Sequence, residues 1–225
     1  MKELTILVDM DDTIECLLDA WVAYLNERHG TNVDVGSITE WDLTTAFPTL
    51  TKEQVYAPLT EDALWETVKP MDGAAEVLEY FQAQGHKVVI VTATAYQTVK
   101  SKMENVLFKY FPFLTWKDVI IASNKQVVKG DILIDDAPHN LVGGDYIKVL
   151  MTASHNCHYD AKANDMYRVN NWEDVQRLVY IIAHADEFAE YSYLWETNPE
   201  YALEMIVGAE LTPTQRYMMK ILMGG

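Results

Sequence analysis

The run Leu4-Thr5-Ile6-Leu7-Val8 is apolar apart from one threonine and stops abruptly at Asp9-Met10-Asp11-Asp12-Thr13. A short continuous stretch of this kind fits a strand buried on both faces, the habit of parallel sheets covered by helices on either side. Asp9 then sits where the strand leaves the layer. In open parallel sheets that edge is where functional groups gather.

Downstream, Ile14, Leu17, Leu18, Trp21, Val22 and Leu25 recur at helical spacing, and Gly30 supplies a stop. Residues 31–69 are rich in Thr, Asp, Glu and aromatics, with Pro48 and Pro58 as breakers, and resemble a small helical insertion more than sheet. Alternation resumes at Pro70. A helix through Ala75, Val77, Leu78 and Phe81 ends at Gly85, the strand Val88-Val89-Ile90-Val91 follows, and a further helix is expected over roughly 97–110. Strands are expected at 119–122, 132–134 and 147–151, and Asn171 caps a helix that starts at Trp172. The pattern predicts an α/β fold: a Rossmann-like parallel sheet flanked by helices, with a small helical cap inserted after the first strand. The expected divisions are a core of residues 1–15 and 70–183, a cap of 16–69, and a C-terminal helical extension of 184–225. The last helix of that extension has Thr212 as its cap and Pro213 in its first turn.

Cys16 and Cys157 are the only cysteines in 225 residues, and a chain this long needs no disulfide staple, so both are expected as free thiols. No apolar run is long enough to span a bilayer, and the N-terminus lacks the layout of a signal peptide, so a cytoplasmic location is expected. The net charge of −17 opposes attachment to duplex nucleic acid. A small phosphorylated substrate is compatible with it, because a metal and a few local cations reverse the potential within one pocket.

Four expected strand ends carry polar residues: Asp9-Met10-Asp11-Asp12-Thr13, then Thr92-Ala93-Thr94, then Lys125 shortly after the third, then Asp135-Asp136. Crowded carboxylates repel unless a hard cation sits among them, and oxygen-rich sites of that kind suit Mg²⁺. A lysine and a hydroxyl would complete a cradle for phosphate oxygens.

In order and spacing, Asp9-x-Asp11-x-Thr13, Thr92, Lys125 and Asp135-Asp136 resemble the four motifs of the haloacid dehalogenase-like phosphatases. Within that superfamily the chain is most similar to the 5'(3')-deoxyribonucleotidases, through Asp9-Met10-Asp11, Lys125-x-Val127-Val128, Leu133-Ile134-Asp135-Asp136, Thr152-Ala153-Ser154-His155-Asn156 and Trp172-x-Asp174. The resemblance implies a Mg²⁺-dependent phosphomonoesterase acting on nucleoside monophosphates. It makes Asp9 the nucleophile that forms an aspartyl-phosphate, and Asp11 the acid that protonates the leaving hydroxyl and later activates water. Mg²⁺ would be held by Asp9, the main-chain oxygen of Asp11 and one of Asp135 and Asp136, with Asp136 favoured. Thr92, Lys125 and backbone amides after Asp11 and at Ala93 would bind the phosphate oxygens.

Each residue also has a plainer use. Thr13 suits a helix cap, Lys129 competes with Lys125, and one of the paired aspartates is expected to orient Lys125. In the insertion, Trp41, Phe47 and Trp65 are candidates for stacking on a nucleobase, with core packing as the alternative for each. His155 and Asn156 are expected to orient a loop, and Trp172 to fill the core. Asp12 stands where many relatives have glycine, and Ala93 removes a hydroxyl contact. Tyr191, Tyr193, Leu194, Trp195, Met205, Met218, Met219 and Leu222 give the extension an apolar surface that core docking or a homodimer contact would cover. Two other functions compete: a phospho-accepting receiver domain, disfavoured because an acidic pair follows the lysine, and a nucleic-acid 3'-phosphatase, disfavoured by charge.

Overall fold

The computed structural model describes residues 1–199, 201–202, 210, 212 and 216. Two compact units share the chain, Glu3–Gln176 and a smaller one made of Met1–Lys2 with Arg177–Gly225. In the larger unit six strands form one parallel sheet: β1 Thr5–Val8, β2 Lys87–Thr92, β3 Val119–Ile121, β4 Ile132–Asp135, β5 Ile147–Met151 and β6 Tyr167–Val169. Their spatial order is β3-β2-β1-β4-β5-β6. The chain winds outward from β1 to β3, then returns to lay β4 against the other side of β1. A crevice opens at the carboxyl ends of such a switch point, and here the switch is at the first acidic loop.

Register follows from burial. Leu7 pairs with Val89 on one side and Leu133 on the other, and all three pack with Val91, Leu141 and Leu150 in one cluster. Gly130 enters β4 where an added Cβ would lie 2.6 Å from Leu7 Cγ, so any side chain there would force the sheet apart.

Helix α1, Leu17–His29, buries Leu17, Trp21, Val22 and Leu25, and stops at Gly30, whose φ of 64° is the left-handed conformation of a helix terminator. The rest of the insertion holds two short helices, α2 Lys52–Tyr56 and α3 Asp62–Trp65, linked by 3-10 turns. Residues 14–16 and 69–71, on either side of α1 to α3, lie side by side. Cys16 N donates to Lys69 O at 2.9 Å, Met71 N donates to Ile14 O at 2.8 Å, and Glu15 bridges Pro70 in antiparallel fashion. Helix α4, Ala74–Ala83, then leads into β2, while α5 Val99–Lys102 runs through a π-turn, Met103–Leu107, into α6 Phe108–Tyr110. Helix α7 Pro138–Leu141 follows β4, and α8 Trp172–Ala183 and α9 Ala185–Thr197 follow β6. Asn171 caps α8 as expected, its Oδ1 accepting from Asp174 N at 2.9 Å.

Strand β6 was not expected. Only Val169 of its three residues is buried, and the anchor is polar: Arg168 donates to Asn156 Oδ1 at 3.0 Å and to Tyr159 O at 2.8 Å. In the smaller unit the Met1 ammonium pairs with Glu187 at 2.8 Å and Tyr180 stacks on His184. Tyr193 and Trp195 are exposed on α9. Pro213, Met205, Met218, Met219 and Leu222, and the Tyr191 side chain, lie outside the described residues, although Arg216 N donates to Thr212 O at 3.0 Å. Cys16 and Cys157 are both free. Among the described residues no helix is long and apolar enough to cross a membrane.

Candidate active site

Four strand ends converge. Asp9 continues the β1 ladder by one residue, its N–H donating to Ile134 O at 2.9 Å, which fixes its backbone beside β4. Lys125 stands in the 3-10 turn after β3, buried, with Nζ 2.5 Å from Asp9 Oδ1 and donating to Asp135 Oδ2 at 2.7 Å. Thr92 ends β2 and is fully buried. The competing Lys129 is exposed.

The paired aspartates have separate work. Asp135 is saturated as an acceptor: Oδ1 takes Ala137 N at 2.8 Å, Oδ2 takes Lys125, and Asn140 Nδ2 lies 3.1 Å from both. Asp136 has Thr13 Oγ1 at 3.5 Å and His155 Nε2 at 2.9 Å. Asn156 Nδ2 donates to Asp136 O and to Met151 O, each at 2.7 Å, so the 152–156 loop does hold this strand end in place.

The first loop turns sharply at Asp12, whose φ of 51° explains why glycine would also suit the position. Thr13 is not the helix cap. It is fully buried against Asp136, and Asp12 Oδ1 accepts from Leu18 N at 2.9 Å at the start of α1.

One carboxylate oxygen from each of Asp9, Asp135 and Asp136 falls within 4.8 Å of the others, and all three residues are buried. Burial first, then Asp135 nearby, pushes the pKa of Asp9 and of Asp136 well above the usual carboxylate range. Burial and then Asp136 push Asp12 up to about 8. Lys125 goes the other way: burial would lower it, but Asp9 and Asp135 outweigh that and hold its ammonium above the ordinary lysine value. Carboxylates held together at this cost fit a hard divalent cation, whose charge would let them ionise together.

Above this floor of Asp9, Asp11, Asp12, Lys125 and Asp136 opens a cavity of about 310 Å³, bordered by Ala93 and walled by Leu17, Leu18, Trp21, Ile38, Leu43 and Leu59. Trp41 is 58% exposed at its mouth, edge-on to His139 and His155 with ring centroids 5.0 and 4.9 Å away. The expectation for Phe47 and Trp65 is corrected. They are 1% and 2% exposed and lie outside the cavity lining, so no base can stack on them there.

One functional neighbour went unseen in the sequence. Lys102, at the end of α5, is fully buried, with Nζ 2.5 Å from Asp11 Oδ1 and donating to Thr92 Oγ1 at 2.9 Å. Its signal was weak: it falls four residues before Val106 on the buried face of its helix, where a lysine is out of place.

Residues 2–186 match the family described as 5' nucleotidase, deoxy (pyrimidine), cytosolic type C protein. The chain belongs to this nucleotidase family. A 5'(3')-deoxyribonucleotidase of Bacillus subtilis is 34% identical over 173 residues, 76% of this chain and 96% of that protein. One from Clostridium acetobutylicum is 29% identical over 178 residues, 79% and 96% of the two chains. Among solved structures, a haloacid dehalogenase-like hydrolase from Streptococcus pneumoniae superposes with a TM-score of 0.56 at 15% identity, covering 80% of this chain and 98% of its own. A HAD-type hydrolase from Bacillus subtilis, bound to magnesium, gives 0.51 at 16% identity over 79% and 99%. The nucleotidase family and the haloacid dehalogenase fold together make the chain a phosphatase, which removes the receiver alternative.

Proposed function

We propose that the chain hydrolyses (deoxy)nucleoside monophosphates through an aspartyl-phosphate on Asp9. The observation that carries this is the Asp9 carboxylate at the floor of a largely apolar cavity, with a buried lysine 2.5 Å from one of its oxygens. Lys125 and the Thr92 region supply positive charge and donors for the phosphate oxygens, so an anion can approach a carboxylate. Asp9 attacks phosphorus as the bond to the sugar oxygen breaks, and Asp11 gives its proton to that oxygen. Water then attacks the phosphorus of the aspartyl-phosphate, Asp11 takes the proton, and Asp9 is released with inorganic phosphate.

Asp9, the main-chain oxygen of Asp11 and Asp136 would hold Mg²⁺, which when bound would supply positive charge to offset the negative charge of the carboxylates and the phosphate. The saturation of Asp135 by Lys125, Ala137 and Asn140 supports Asp136 as the ligand. The apolar walls and the exposed Trp41 suit the sugar and base of a nucleotide, and the deoxyribonucleotidase names of the relatives point the same way.

Phosphate release from a panel of nucleoside 5'- and 3'-monophosphates, with Mg²⁺ and with EDTA, tests the assignment. Turnover of nucleotides that is lost in EDTA, with acid-quenched label on Asp9, is expected. Full activity in EDTA, or label on another residue, would overturn it.

A further inference from the structure

A buried lysine is expensive to desolvate, and it is retained where its charge has a partner and a use. Lys102 is 0% exposed and sits outside the residues lining the cavity. Its stem ends over the face of Trp65, 5.0 Å from the ring centroid. From there the ammonium spans two residues of the site: it is 2.5 Å from Asp11 Oδ1 and donates to Thr92 Oγ1 at 2.9 Å. A third approach, to Ala93 O at 3.5 Å, points the same way.

We propose that Lys102 is a positioning residue that fixes which oxygen of Asp11 handles the proton and which way the Thr92 hydroxyl points. This rests on the reading of Asp11 as proton donor and base. An ammonium has only donors, so every partner must accept. With Oδ1 of Asp11 occupied by Lys102, Oδ2 is left for the leaving-group oxygen and later for water. With a lone pair of Thr92 Oγ1 taken by the same ammonium, the hydroxyl hydrogen is left for another acceptor, Ala93 O at 3.2 Å. One cation thus sets the geometry of the proton carrier after β1 and of the hydroxyl at the end of β2. The π-turn that begins at Met103, directly after Lys102, is the kind of helix irregularity that re-aims a side chain at a functional site.

The experiment compares Lys102→Met, Asp11→Asn and the double variant, each with Mg²⁺, on a deoxynucleoside 5'-monophosphate and on p-nitrophenyl phosphate. Lys102→Met keeps the buried stem and removes the donors. It should lower kcat on the nucleotide by roughly 10- to 100-fold, part of the 10²- to 10⁴-fold a general acid contributes, with KM changed less than about threefold. The burst of p-nitrophenol, whose leaving group needs no proton, should fall far less. In the Asp11→Asn background the same change should cost little further, because two residues acting as one unit are not additive. Lys102→Gln, which keeps a donor, should recover part of kcat and serves in its own right if Lys102→Met fails to fold. An unchanged kcat, an equal loss on both substrates, a loss carried by KM, or full additivity with Asp11→Asn would overturn the role of Lys102. A fully active Asp11→Asn would instead overturn the reading of Asp11.

Discussion

The indole of Trp172 donates to the main-chain oxygen of Thr13 at 2.9 Å, joining positions 159 residues apart in the sequence. Trp172 is therefore more than core filling: it satisfies a carbonyl of the loop that presents Asp9 and Asp11. Trp172→Phe retains most of the packing and leaves that buried carbonyl without its donor, at a cost of about 1–3 kcal/mol. A shift of the urea midpoint to lower denaturant would show it, together with a lowered kcat as the loop loses its anchor. An unchanged midpoint would mean that the loop is held by its other contacts alone.

Trp41 and Trp65 differ in exposure, 58% against 2%, and their alanine variants should separate accordingly. Trp41→Ala should raise KM for nucleotides by roughly 5- to 150-fold, the value of about 1–3 kcal/mol of base stacking, and leave KM for a small alkyl phosphate nearly unchanged. Trp65→Ala should instead lower stability by about 3–5 kcal/mol, because it empties a buried site beneath Lys102. Steady-state kinetics on both substrates and thermal melts check the pair. Equal KM effects on both substrates would assign Trp41 to packing.

Asp135 and Asp136 adjoin in sequence and should respond differently. Asp136→Asn removes a proposed metal ligand and should raise the Mg²⁺ concentration for half-activity at least ~10-fold, since even a lost outer-shell partner costs 10- to 100-fold in affinity. Asp135→Asn removes one of the two carboxylates neutralising the buried Lys125 ammonium and should cost about 3 kcal/mol of stability. Magnesium titration of activity and denaturant melts measure the two effects. A reversed pattern would make Asp135 the ligand.

Glu15 is fully buried, and burial, then the neighbouring Asp11, pushes its pKa well above the ordinary value of 4.5. The folded chain therefore keeps a proton that the unfolded chain gives up. That contribution is complete below the ordinary carboxylate value and is lost as pH rises toward the folded-state pKa. Glu15→Gln cannot ionise, so its melting temperature should fall less than the parent's as pH rises above the ordinary carboxylate range. Parallel melting curves over that rise would show that Glu15 does not titrate differently on folding.

The core was legible because its strands are written in unbroken apolar runs: Leu4 to Val8, Val88 to Val91 and Ile132 to Ile134 could hardly pack elsewhere. The site was legible for the same reason, since Asp9, Thr92 and Asp135 stand at the ends of those runs. Strand β6 escaped because its hold is the Arg168 network rather than apolar burial. Lys102 escaped because a lysine in a helix ordinarily faces water, and its partners lie on other elements. Choosing Trp41 over Phe47 and Trp65 required knowing which ring the insertion turns outward, which depends on packing among short helices with little periodicity of their own.

The paired crossings at Ile14–Cys16 and Lys69–Met71 have a mechanical consequence. Two separated connections could be strained one at a time, whereas the Cys16–Lys69 and Met71–Ile14 bonds join the outgoing and returning chain at one place. Any displacement of residues 17–68 would therefore load both connections together, and with them the loop that presents Asp9 and Asp11, while Trp41 keeps its seat beside His139 and His155 only as long as that junction holds.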